Sequence, residues 1–169
     1  MTRRSVQGYT LIELIVVMVL VGLMGTLALP RLRHTLLSDD LKGSTRRLAG
    51  MMRELRGQAQ RDQKDFFLRF DLDSGIYWVE SRDMNIDDRS FARENGIRIQ
   101  GDVRISDIWL KGEGTISSGD ASITITRKGY VQPSAIHLTD DTGREFTLSF
   151  RPFLPKERFY DEYIDFREW

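Results

Sequence analysis

The sequence predicts an α+β fold: a long N-terminal helix, with a transmembrane first half and an amphipathic second half, packed on an antiparallel β-sandwich or roll. Three observations predict it. From Leu14 to Leu29 no residue is charged and only Thr26 is polar. Beyond Pro30 apolar residues return every three or four positions, the helical period. From Phe66 onward the period falls to two and glycines punctuate the chain, as in short strands joined by turns. The boundaries that follow are a membrane helix over 9–30, an amphipathic helix over 31–64 and a β domain over 65–169.

The chain has 169 residues, enough for one domain with an appendage. Its 25 basic and 25 acidic side chains balance, but unevenly along the sequence. Residues 1–64 carry 11 basic and 5 acidic groups, a difference of +6, and residues 65–169 carry 14 and 20, a difference of −6. An acidic distal half argues against nucleic-acid binding there, because phosphate neutralisation dominates such affinity. With no cysteine, disulfides, thiolate metal sites and thiol nucleophiles are excluded.

Extended back to Tyr9, the apolar run reaches the roughly 20 residues that a spanning helix needs. Arg3 and Arg4 precede it, so the N-terminus is expected to stay cytoplasmic and everything after Pro30 to lie outside. A secretory signal peptide is the competing reading, with Thr26-Leu27-Ala28 as its cleavage site. Against it stand the length of the apolar run and Glu13, a carboxylate that adds roughly 2.5 to 3.5 kcal/mol of insertion cost near a helix centre and less near an end. Such a charge marks a function and calls for a partner.

Gly8-Tyr9-Thr10-Leu11-Ile12-Glu13, behind a short basic leader and ahead of an apolar helix, resembles the type IV prepilin signature of pilins and of the pseudopilins of type II secretion. The resemblance implies that residues 1–8 are a leader removed after Gly8 by a membrane prepilin peptidase, and that the new amine of Tyr9 is then methylated. Tyr9 stands where most members have Phe. Gly22 and Pro30 also fall where pilin helices carry a glycine and a proline.

Cleavage would create an ammonium at Tyr9, with a reference pKa of about 7.7 to 8, about one helical turn from Glu13. A pair within one chain and a pair between subunits both satisfy that geometry; the family favours the amine of the neighbouring subunit. A lone buried charge is costly and a pair recovers much of the penalty, so Glu13 reads as a register pin for helix assembly. Pro30 disfavours helical geometry at Leu29, and Gly22 and Gly25 each lower helix propensity by up to about 1 kcal/mol. These three positions are the weak points of the helix, whether as a kink or as a region that loses helicity on assembly.

Leu37, Leu41, Leu48, Met51, Met52 and Leu55, with small Ser44 and Ala59 between them, form one stripe that should end near Lys64. Together with the membrane run this is a helix of roughly 55 residues, about 80 Å long. Arg46, Arg47, Arg53, Arg56 and Arg61 occupy another side, either as a solvated face or as a surface for acidic neighbours. Ser38-Asp39-Asp40 favour caps and could interrupt the helix.

In the β domain, 66–70 and 76–79 flank Asp73-Ser74-Gly75 and read as a hairpin. Further strands are expected at 97–99, 103–110, 115–116, 122–126, 136–138 and 146–150. The stretch SITITRKGYVQPSAIHLTDDTGREFTLSF is similar to the end of FimT/GspH-type pilin domains. That likeness implies the H-type minor pseudopilin of type II secretion, with FimT-type minor pilins as near relatives. DNA-binding members of the latter carry a basic C-terminal motif; here Gly143-Arg144-Glu145 sets an acid beside the arginine.

Asp83, Asn85, Asp87 and Glu94 match part of a calcium-loop spacing, but Asp88 replaces the glycine that the loop's turn requires and strands are expected on either side. A solvated acidic loop is the simpler reading. His34 and His137 read as structural, and no nucleophile has an evident base, so neither catalysis nor a cofactor is expected. The terminal PKERFYDEYIDFREW places Phe159, Tyr163 and Phe166 at helical spacing, with Tyr160 and Trp169 nearby. It either folds back on the body or offers an aromatic contact to a partner.

The functional expectation is a non-catalytic minor pseudopilin, anchored by a single pass in the bacterial inner membrane with its C-terminal domain periplasmic. The resemblance implies as partners other major and minor pseudopilins, the prepilin peptidase, and the inner-membrane assembly platform with its ATPase. The alternatives are a minor pilin that primes a type IV pilus and, from another class, a Sec-exported or membrane-anchored β-sandwich binding protein.

Overall fold

In the computed structural model, which describes residues 11–151 and 157–166 and no side chain of 25–39, Leu11–Asp62 form the helix α1. Gly22, Gly25, Pro30 and the Ser38-Asp39-Asp40 segment all lie inside its helical span. Contacts divide the chain into two units, Met1–Ser38 and Asp39–Trp169. The second unit holds the core. There α1 buries Leu41, Leu48, Met52, Leu55 and Ala59 of the expected stripe, leaves Ser44 and Met51 half-buried, and adds Ala49 and Thr45, whose hydroxyl donates back to the Leu41 carbonyl at 2.7 Å. The side chain of Leu37 lies outside the described residues.

The helix ends in a left-handed residue that is not glycine. Gln63 has φ 55°, and the Lys64 amide donates to the Ala59 carbonyl at 3.3 Å, six residues closing one loop as in a Schellman cap. The turn places the chain at the start of the first strand.

Among the described residues nine strands follow, with a second helix between them: β1 (Phe66–Asp71), β2 (Ile76–Ser81), α2 (Ile86–Glu94), β3 (Ile97–Arg98), β4 (Arg104–Leu110), β5 (Gly114–Ile116), β6 (Asp120–Ile125), β7 (Ser134–Thr139), β8 (Glu145–Phe150) and β9 (Arg158–Tyr160). They make two antiparallel sheets, ordered β3-β2-β1-β6 and β5-β4-β7-β8-β9. The β1–β2 hairpin turns at Gly75, φ 66°, with the Ser74 amide donating to the Asp71 carboxylate at 3.0 Å. β1 alternates as its sequence does, Phe66, Leu68 and Phe70 inward.

Both sheets and the second part of α1 share one core. Leu68, Phe70 and Ile123 from the first sheet meet Ile108, Ile136, Leu138 and Leu148 from the second, together with the α1 stripe. In β4 the alternation breaks. Ile105 pairs with Leu138 and Ile108 with Ile136, and both isoleucines are buried in the core although three residues apart. A register shift between Ile105 and Asp107 makes this possible: Ser106 is the extra residue of a bulge, and it returns the side-chain period to the correct face. A consequence is that Asp107 stands opposite His137 on the outer face.

α2 was not legible in the sequence, which predicts strands around residues 83–94. The helix has no buried residue, and Asn85 caps it by accepting from the Asp88 amide at 2.8 Å. Ile86 is 82% exposed and Phe91 68%. Polar chemistry holds it in place: Arg93 donates to Asp71 at 2.9 Å and lies over the Trp78 ring at 5.2 Å.

Left-handed backbone costs an ordinary residue about 1 to 2 kcal/mol, and the side-chain hydrogen bond from Gln63 to the Gln60 carbonyl at 2.7 Å offsets part of it. Replacing Gln63 by Gly should therefore raise stability by up to about 1 kcal/mol. Urea unfolding of both proteins at the same detergent concentration checks this; a variant weaker than the parent refutes the cap assignment.

Candidate functional site

The N-terminal part of α1 carries the residues of the prepilin-like signature that the structure describes. Gly8 and Tyr9 lie outside the described residues. Glu13 falls in the first turn of α1, where a carboxylate faces the unpaired amide groups of a helix start. Among the described residues it makes no hydrogen bond or ion pair. Every large apolar residue from Leu11 to Met24 is exposed, whichever side of the helix it occupies. A helix that is apolar all round is covered by lipid or by other helices. Among the described residues no helix is long and apolar enough to cross a membrane; the run described with its side chains ends at Met24. Gly22 has open space around its Cα, while the surroundings of Gly25, Pro30 and His34 fall outside what is described.

At the other end, the tail folds back on the outer face of the second sheet. Its helical spacing misleads: Arg158–Tyr160 form β9, paired with β8, and residues 161–166 are not helical. Phe166 packs against Trp109 with ring centroids 5.5 Å apart, and Tyr163 stacks on His137 at 4.0 Å. Tyr160 is half-buried, Phe159 remains 46% exposed, and Trp169 lies outside the described residues.

Under the tail runs a polar row that crosses three strands. His137, 1% exposed, sets Nδ1 2.6 Å from Asp107 Oδ1 and Nε2 2.9 Å from the Ile164 carbonyl oxygen. Both ring nitrogens face acceptors, so the doubly protonated ring donates to both and a neutral ring to one. The Thr147 hydroxyl donates to the Glu162 carbonyl at 2.7 Å and accepts from the Ile164 amide at 3.1 Å. Sheet side chains thus satisfy the tail's backbone. The sequence placed His137 as structural; what it lacked was Asp107, whose facing partner depends on the bulge.

The residues of the calcium-loop spacing go elsewhere. Asp83 accepts from Lys64 at 2.5 Å and from the Ser81 hydroxyl at 2.6 Å, and the Lys64 hydrogen bond foremost lowers its carboxyl to about 2. Asn85 is occupied as the cap of α2, and Asp87 and Glu94 sit at opposite ends of that helix. Among the described residues no group of three or more acids and histidines is placed to hold a metal.

Arg144 is likewise engaged. It donates to Asp140 through Nε at 2.9 Å and a terminal nitrogen at 2.6 Å, and Asp140 also accepts from Thr142 and the Arg144 amide. Burial pushes the Asp140 carboxyl up, but the Thr142 and Arg144 hydrogen bonds and the guanidinium charge outweigh it and leave the group below its ordinary value. On the helix, Arg53 pairs with Glu157 at 2.6 Å and Arg56 donates to the Gly129 carbonyl at 3.1 Å, so part of the arginine face serves the fold.

Two predictions follow from these networks. Replacing His137 or Asp107 singly by Leu strands a buried polar partner and should cost about 3 to 5 kcal/mol, whereas the double replacement should cost less than the sum by about 1 to 3 kcal/mol; additive losses in a double-mutant cycle argue against the pair. Asp140→Asn should lose about 1 to 3 kcal/mol at neutral pH. Because the folded carboxyl is depressed, that stability is present above the unfolded value of 3.8 and disappears as pH falls through the lower folded value. The gap between variant and parent should therefore close below about pH 4, as read by urea unfolding at several pH values.

Residues 3–29 match the family described as the prokaryotic N-terminal methylation motif. No curated protein matches the chain. Two solved structures of the minor pseudopilin EpsH from the type II secretion system of Vibrio cholerae resemble it. One aligns with TM-score 0.52 at 14% identity over 73% of this chain and 98% of EpsH, the other with 0.54 at 13% over 75% and 97%. The chain thus joins the N-terminal methylation motif of type IV pilin-like proteins to a body with the fold of a minor pseudopilin.

Proposed function

We propose that this protein is a minor pseudopilin, a structural and non-catalytic subunit of the periplasmic pseudopilus of a type II secretion system. The observation that carries the reading is the coincidence of a methylation motif at 3–29 with an EpsH-like body in one chain. In this reading residues 1–8 are removed by the prepilin peptidase after Gly8, Tyr9 becomes the methylated N-terminus, and residues 9–30 hold the protein in the inner membrane with the body in the periplasm. Its partners are other pseudopilins and the assembly platform with its ATPase.

The exposed apolar face from Leu11 to Met24 supports assembly, since packing against lipid and neighbouring helices removes it from water. Glu13 supplies register. A carboxylate in that run is tolerated only where an opposite charge meets it, and the amine of Tyr9 on the adjoining subunit is the group that cleavage provides. Gly22, Gly25 and Pro30 give the helix its weak region, and Phe159, 46% exposed, is an aromatic of the tail that a partner can reach.

Mass spectrometry of the protein recovered from membranes tests the processing, with N-methyl-Tyr9 as the expected N-terminus. A chain beginning at Met1 or near Leu29 removes the basis of the proposal. Glu13→Ala should leave leader removal intact and lower incorporation into filaments several-fold in a pull-down of partner subunits; incorporation at the parental level excludes the register role. Deleting the gene and assaying secreted enzymes against surface pili separates the pseudopilus from a type IV pilus.

A further inference from the structure

Away from the tail and the apolar start of α1, the far end of that helix and the β6–β7 turn line a cleft of about 660 Å³. Its lining includes four cations, Arg56, Arg127, Lys128 and Arg151, and one acid, Asp65. That acid is already engaged: Oδ1 accepts from the Arg127 amide at 2.8 Å and Oδ2 from Arg82 at 3.1 Å. Among the described residues neither the Arg127 guanidinium nor the Lys128 ammonium donates a hydrogen bond or forms a salt bridge, and both side chains are exposed.

The turn that carries them is held in place from beneath. Arg56 donates to the Gly129 carbonyl and Gln60 Nε2 to the Lys128 carbonyl at 3.2 Å, so α1 grips the turn by its backbone. Gly129 has φ 76°, a left-handed conformation that favours glycine, and a Cβ there would also push the Gln60 side chain aside. The cationic side chains are left to project from a rigid base. Tyr130, 39% exposed, adds an aromatic wall.

We infer that this cleft is a docking site for an acidic segment of a partner polypeptide, its carboxylates taken by Arg127 and Lys128 and its backbone laid along Tyr130. The volume exceeds that of a single inorganic anion and suits a few residues of chain. Guanidinium and ammonium donors match carboxylates, with arginine able to bind both oxygens at once. A long polyanion fits less well, because residues 65–169 carry a net charge of −6 and, in the neighbouring cleft, Lys64 and Arg82 are already paired with Asp83 and Asp65. The inference does not rest on the filament reading, and either can fail alone.

The test uses the full chain in detergent micelles and a fluorescein-labelled peptide of alternating Asp and Glu with one Leu. Fluorescence anisotropy should show saturable binding that weakens with added salt. The double variant R127E/K128E should lose about tenfold or more in affinity, while Lys111→Glu, an exposed control on another turn, should bind as the parent does. If charge reversal disturbs folding by thermal unfolding, Arg127→Gln with Lys128→Gln should show the same direction of loss. Absence of binding at low salt, equal affinity in the parent and the double variants, or tighter binding of a single-stranded oligonucleotide than of the peptide would each overturn the assignment.

Discussion

Burial of the α1 stripe from Leu41 to Ala59 is the interaction on which the body depends. Those side chains share a core with the inner faces of both sheets, so the helix belongs to the interior as much as any strand does. Small residues at Ala49 and Ala59 keep that face close-packed. The rest of the arrangement answers to the fit. Arg56 and Gln60 reach the β6–β7 turn because the helix is seated where it is, and Arg53 meets Glu157 at the base of the tail.

The second sheet is buried on both faces, and the two are covered by different means. Its inner face is apolar and meets the core; its outer face carries Asp107, His137, Thr147 and Ser149 and is covered by the tail. Polar side chains can be buried there because the tail brings backbone groups rather than more hydrocarbon: the Glu162 and Ile164 carbonyls and the Ile164 amide are the partners of His137 and Thr147. The apolar contribution comes from Phe166 on Trp109 with Ala135 beneath and Ile164 beside them, and from Tyr163 stacked on His137. Apolar burial and directional hydrogen bonds thus hold the tail together, the hydrogen bonds fixing which backbone groups meet the sheet.

Much of this was legible from residue types alone. The α1 stripe, the β1–β2 hairpin and strands β6, β7 and β8 follow from period and glycine placement, because each presents one clear face to the core. α2 did not, since it buries nothing and so leaves no apolar period. The tail misled for a related reason. Phe159 and Phe166 sit at helical spacing yet serve different segments, one in β9 and one beyond it, and spacing carries no information about which element a residue joins. The basic cleft was written in the sequence as Arg127-Lys128-Gly129, but whether those charges are paired depends on Asp65, sixty-odd residues earlier, and on what already engages it. The motif at Gly8 to Glu13 needed no fold to be read.

The bulge at Ser106 makes β4 unlike the other strands in how it tolerates inherited change. Elsewhere in the sheet one amino acid can be exchanged for another and only its own contacts are altered. Loss of the single codon for Ser106 would instead close the bulge, leaving Ile105 opposite Leu138 and Ile108 opposite Ile136 in a regular ladder with both still facing the interior. At this one position β4 can shed a residue without turning a side chain over, whereas a deletion inside a regular strand inverts every residue on one side of it.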